Sequence, residues 1–165
     1  MKPIRVYLSM LAISLIGANL TVASSPLPVS SSDNADRQAI EALLGNYTRC
    51  LTERDEAGFR ALLLDEEIPF TSVQESTAPE KSADLRHYEN FRQAVFGGSQ
   101  RYRQTFYNVR IDQHGPLAQV SLNFLTEPVT RDGKSSKSLP GWKVLQLLKI
   151  GDRWKIASEL YTFEG

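Results

Sequence analysis

Apolar residues recur along this chain with two different periods, and the change between them divides it. Ile40, Leu43, Leu44, Tyr47 and Leu51 fall at helical spacing and give one clean apolar face. Glu53-Arg54-Asp55 interrupts that run, and Asp55 is placed to cap a second helix carrying Phe59, Leu62 and Leu63. Ile68, Phe70 and Ser72 then alternate as a short strand, and its entry through Pro69 suits a sheet edge. After a polar loop over 76–81, a third helix is predicted with Leu85, Tyr88, Phe91 and Val95 on one face, ended by Gly97-Gly98. From Arg101 onward the period is two. Segments 101–111 and 117–126, joined by Gly115-Pro116, and two further runs flanking Gly151-Asp152 predict a four-stranded antiparallel meander. Residues 130–141, with Asp132-Gly133 and several serines, read as a longer connection.

Helices first and strands afterwards predict an α+β domain, with three N-terminal helices packed on one face of a strongly curved, mostly antiparallel sheet. Leu145 and Leu147 lie on one face of the penultimate strand and Val144 and Leu148 on the other. Only one face can meet the helices, so the other needs cover.

The N-terminus has a different character. Lys2 and Arg5 precede an uncharged, mostly apolar run from Val6 to Val22, and small residues follow. This is the layout of a cleaved secretory signal peptide over 1–23, giving an exported (periplasmic or secreted) protein with no stable membrane insertion after cleavage. Asn19, Thr21 and Gly17 make the run too polar for a good span. Residues 24–32 are rich in Ser and Pro and read as a flexible leader, leaving 33–165 as one domain. The chain holds 19 basic and 19 acidic residues; loss of Lys2 and Arg5 leaves a slightly acidic remainder without a basic stripe, which gives nucleic acid no footprint. Cys50 is the sole cysteine, so no intrachain disulfide forms.

The Arg54-Asp55 junction, the strand after Leu64-Asp65, the third helix and the closing Gly151-Asp-Arg-Trp-Lys-Ile156 together resemble the nuclear transport factor 2-like superfamily. The nearest likeness is its SnoaL-like group, which includes polyketide cyclases and ketosteroid isomerases, and it extends over nearly all of the chain after residue 32. The resemblance implies a cystatin-like cone, a half-barrel whose open end holds a pocket, and a homodimer formed through the outer sheet face. Where ketosteroid isomerase-like members place a general-base aspartate, this chain reads Ile68-Pro-Phe-Thr-Ser-Val-Gln-Glu75: Thr71 or Ser72 stands near that position, and a two-residue shift would bring Glu75 there.

By the same resemblance, the face of the last strand carrying Trp154, Ile156, Ser158 and Leu160 points into the cone, which leaves Glu159 outside, suited to an ion pair across a dimer seam. The pocket-lining candidates are Tyr47, Phe70, Tyr88, Phe91, Asn123, Trp154 and Ser158. No catalytic residue is assigned. His87 faces away from the apolar line of its helix, His114 sits in a turn, and no clustering suggests a metal. No cofactor motif is present either. Cys50 reads as core, and the Asn46-Tyr47-Thr48 sequon, inside a helix, as chance. Two functions remain: an exported module binding a small apolar or amphipathic molecule, or a partner; or a cofactor-free isomerase, cyclase or dehydratase, as the resemblance implies.

Overall fold

The computed structural model describes residues 31–73, 84–129 and 137–164, with the side chains of 31–33 left aside. The signal peptide, most of the leader, the 76–81 loop, Glu75 and most of the 130–141 connection lie outside the described residues.

Helix α1 runs Ser31–Glu53. Ile40, Leu43, Leu44, Tyr47, Cys50 and Leu51 are all buried along it, the i, i+3, i+4, i+7 stripe that drives an amphipathic helix onto a sheet. Each such burial contributes about 1.5–3 kcal/mol. Arg54 ends the helix with φ of 59°, and its guanidinium reaches the carbonyls of Phe96 and, at 2.6 Å, Gly98. Asp55 caps α2 (Glu56–Arg60) by accepting from the Gly58 N–H at 2.8 Å. The third helical segment is α3, Tyr88–Arg92, which widens into a π-helical turn over Gln93–Gly97. Leu85, expected within this helix, precedes it, and its carbonyl accepts from the Phe70 N–H at 2.7 Å.

Strands β1 (Phe70–Ser72), β2 (Arg101–His114), β3 (Leu117–Val129), β4 (Leu139–Ile150) and β5 (Arg153–Phe163) form one sheet in the order β1-β5-β4-β3-β2. β1 pairs parallel to β5 and occupies an edge; the other pairings are antiparallel. The sheet is therefore mixed, open, and wrapped on the helices. Gly115 and Gly151, at φ of 56° and 60°, make the two tight hairpin turns.

Two irregularities bend the sheet. On β2 the pairing shifts between Tyr107 and Arg110, with Asn108 at φ of 51°. On β5, Ser158 pairs with Gln146 and Ile156 with Leu147, so Ala157 is an extra residue between them. The Ala157 bulge reverses the phase of the strand: Trp154 and Ile156 are buried before it, Glu159 after it, and Leu160 is exposed. The two ends of the cone differ. At one end the β2–β3 and β4–β5 turns meet the first turns of α1, where Asp36 accepts from Lys149 (2.6 Å), Trp154 Nε1 (3.2 Å) and Gln113 Nε2 (3.2 Å). At the other end, the start of β2 and β4 and the end of β3 and β5 surround a cavity.

Candidate functional site

The cavity has a volume of about 250 Å³. Leu51, Phe91, Val95, Phe124 and Tyr161 form much of its wall, and exposed Ala94, Leu139 and Phe163 stand at its rim. β4 and β5 bring two charges into this apolar setting. Lys143 Nζ lies 2.5 Å from Glu159 Oε1, and the two side chains are only 2% and 0% exposed. Both line the cavity.

Their placement follows from strand phase. Lys143 shares its β4 face with Leu145 and Leu147, both fully buried. Glu159 reaches the same side because of the Ala157 bulge, and its own N–H donates to the Pro69 carbonyl at 2.8 Å, which fixes the backbone from the β1 side. Tyr47 on α1 completes the cluster: its hydroxyl donates to Glu159 Oε1 at 2.8 Å and accepts from Lys143 Nζ at 2.7 Å. The ammonium also lies 4.3 Å from the Tyr47 ring centre, with Phe124, Phe106 and Tyr161 at 5.3, 5.4 and 5.6 Å. Aromatic faces and a carboxylate favour its charged form. Burial works against it, and draws Lys143 below the ordinary lysine range against the pull of Glu159. Burial and then the Glu159 charge push the Tyr47 phenol well above its ordinary value, so it stays protonated and serves as a donor.

Two acceptors in this setting are left over. Glu159 Oε2 is buried and has no hydrogen-bond partner, and neither has Gln104 Oε1. Gln104 also lines the cavity, and its Nε2 donates to Thr126 Oγ1 at 2.8 Å.

The seven candidates from the sequence fall in different places. Phe91 lines the cavity. Tyr47 is completely buried and bonded to the two charges that line it. Phe70 and Tyr88 are buried in an aromatic cluster around Phe59, whose ring stacks on Tyr88 at 6.2 Å. Asn123 accepts from Asn108 Nδ2 at 3.3 Å and pairs with Trp142 on the outer face. Trp154 points toward the closed end and bonds Asp36. Ser158 donates to Gln146 across the outer face at 2.9 Å. The expected inward face of β5 thus needs correction beyond Ile156: the bulge turns Ser158 and Leu160 outward and brings Glu159 and Tyr161 to the cavity side. Glu159 is not on the outer face. His87 needs a correction too, since it is half-buried at the start of α3 with Nδ1 2.9 Å from Thr71 Oγ1. Cys50 is a buried free thiol, pushed up by burial.

Lys143 and Glu159 were missed because a charge on a strand reads as a solvent face. A signal for Lys143 existed: it alternates in phase with Leu145 and Leu147. Among the described residues no group of three or more His, Cys, Asp or Glu side chains is placed to hold a metal ion.

No family model matches this sequence, and no curated protein matches it. Solved structures do. A candidate scytalone dehydratase from Novosphingobium aromaticivorans superimposes with a TM-score of 0.64 at 18% identity, over 81% of this chain and 87% of that one. The β subunit of a candidate aromatic-ring-hydroxylating dioxygenase from the same organism gives 0.62 at 14% identity, over 81% and 92%. A nuclear transport factor 2-like superfamily protein from Salmonella enterica gives 0.60 at 18% identity, over 80% and 92%. The chain has the nuclear transport factor 2-like, SnoaL-like fold. At these identities the likeness is one of fold, and function must be argued from the site.

Proposed function

We propose that this protein is an exported module that holds a small, mostly apolar molecule in the open end of its cone, with one polar end of the ligand turned to Lys143 and Glu159. The observation that carries this reading is a buried ion pair at the inner end of an otherwise largely apolar cavity. Such pairs contribute little to stability against an apolar alternative, whereas a few polar groups converging in an apolar pocket are what orients a ligand. The test is Ala94→Trp, which places an indole at the rim. Ligand co-purifying with the wild-type protein, seen as excess mass in native mass spectrometry, should be absent from this variant while the melting temperature stays within about 3 °C. Equal excess mass in both would remove the cavity from the account.

A second reading, a cofactor-free isomerase, cyclase or dehydratase, draws support from the buried Glu159 carboxylate beside the Tyr47 hydroxyl. Under it, turnover of a carbonyl or hydroxyl substrate would disappear in Tyr47→Phe with binding retained. The outer face supports a homodimer: Trp142 and Leu160 are 46% and 38% exposed there, next to Val144 and Leu148. Light scattering should give twice the chain mass, and Leu160→Glu should halve it. Export predicts a mature mass beginning near Ser24 or Ser25.

A further inference from the structure

Glu159 presents an incomplete hydrogen-bond pattern to the cavity. Oε1 is engaged by both Lys143 and Tyr47, while Oε2 is buried without a partner. Buried polar atoms are seldom left so, and an orphan carboxylate oxygen is among the most expensive to leave. Gln104 Oε1 is the second buried acceptor without a partner on a residue lining the same cavity. Two buried acceptors without a partner thus sit on residues lining the cavity, while among the described residues no buried donor lining it is wholly without one, so the group the site most lacks is a hydrogen-bond donor.

Resting on the reading of the cavity as a ligand site, we propose that its occupant is a neutral hydroxylated hydrocarbon of one or two rings, a phenol or cyclic alcohol, whose hydroxyl donates to Glu159 Oε2. Charge narrows the class. Lys143 and Glu159 sum to zero, so the site offers no net attraction to an ion. A ligand carboxylate would face the lone pairs of Oε2, an ammonium would approach that of Lys143, and a ketone or ether could accept the remaining Lys143 N–H but would leave Oε2 unmet. The aromatic positions around Lys143 are filled by its own ammonium, which leaves no cage for a ligand cation. Size narrows it further: an apolar cavity of about 150 Å³ takes benzene, so about 250 Å³ suits one or two rings.

The experiment is calorimetric titration of the purified protein with 2-naphthol, 2-methoxynaphthalene and 2-naphthoate. The naphthol should bind about tenfold to a hundredfold more tightly than its methyl ether, the range for a hydrogen bond to a charged acceptor, and the naphthoate more weakly than either. Lys143→Met/Glu159→Leu, which replaces the pair by apolar side chains and so avoids a lone buried charge, should bind the naphthol and the ether within threefold of each other. If the ether matches the naphthol on the wild-type protein, or the preference survives in the double variant, the hydroxyl is not read by Glu159 and this inference falls while the cavity remains a ligand site. If none of the three binds at millimolar concentration, both readings fall.

Discussion

Replacing Lys143 by Met leaves the Glu159 carboxylate, 0% exposed, with the Tyr47 hydroxyl as its remaining partner. At 2.5 Å the pair attracts by roughly 6–7 kcal/mol for an effective dielectric constant of 20. Part of that is returned because an ammonium no longer has to be desolvated, and breaking a buried pair on one side destabilises by about 3–5 kcal/mol in practice. For a domain of this size, between the small and larger classes, that corresponds to a fall in melting temperature of about 10–20 °C. Urea unfolding of four proteins closes the cycle: wild type, Lys143→Met, Glu159→Leu and the double variant. The double variant should recover most of the loss, with a coupling of at least about 2 kcal/mol. A Lys143→Met loss below about 1 kcal/mol, or a double variant as unstable as the sum of the singles, would show that the two groups are not a desolvated pair, and the description of the site would be wrong.

Three further outcomes follow from the geometry. In Glu159→Gln the ammonium loses the charge that opposes its desolvation, so Lys143 is drawn further below the ordinary lysine range. Between that depressed value and the unfolded value near 10.4, the unfolded chain binds more protons than the native one, so stability rises with pH; unfolding curves from pH 7 to 9 should show this variant gaining on the wild type, and parallel curves would refute it. A Cβ at Gly141 would lie 2.3 Å from Phe124 Cζ and 2.4 Å from the Thr162 carbonyl oxygen. Gly141→Ala should therefore destabilise by about 1–3 kcal/mol in urea, and a neutral result would contradict the close packing at this strand crossing. Asp55→Ala removes the α2 cap and should lose about 1 kcal/mol, while Asp55→Ser keeps most of it; equal losses in the two variants would argue against the cap.

Much of the architecture could be read from residue order because its causes are local. The α1 stripe from Ile40 to Leu51, the Asp55 cap and the Gly115 and Gly151 turns each depend on a few neighbouring residues, and the structure contains all of them. The site depends on something less local. Trp154 to Leu160 alternates as a regular strand would, and nothing in those seven residues announces that Ala157 is an extra one; only the partner strand defines it. One residue of slip exchanges every later side chain between faces, so the inward face was assigned correctly up to Ile156 and inverted at Glu159. Tyr47 was accessible because an aromatic residue on the buried stripe must face the sheet, and its bond to a charge arriving from 112 residues away was not.

The Asp36 clasp has a practical consequence. Lys149, Trp154 and Gln113 hold the first turns of α1 at the pole of the cone opposite the cavity. Whatever is joined ahead of Ser31 therefore enters the domain from behind. A sensor chip, a bead or a lipid surface coupled through that side would leave the mouth facing the bulk solution, whereas coupling through Phe163 would set the support against the rim. For immobilised binding measurements the N-terminal attachment is the one to choose.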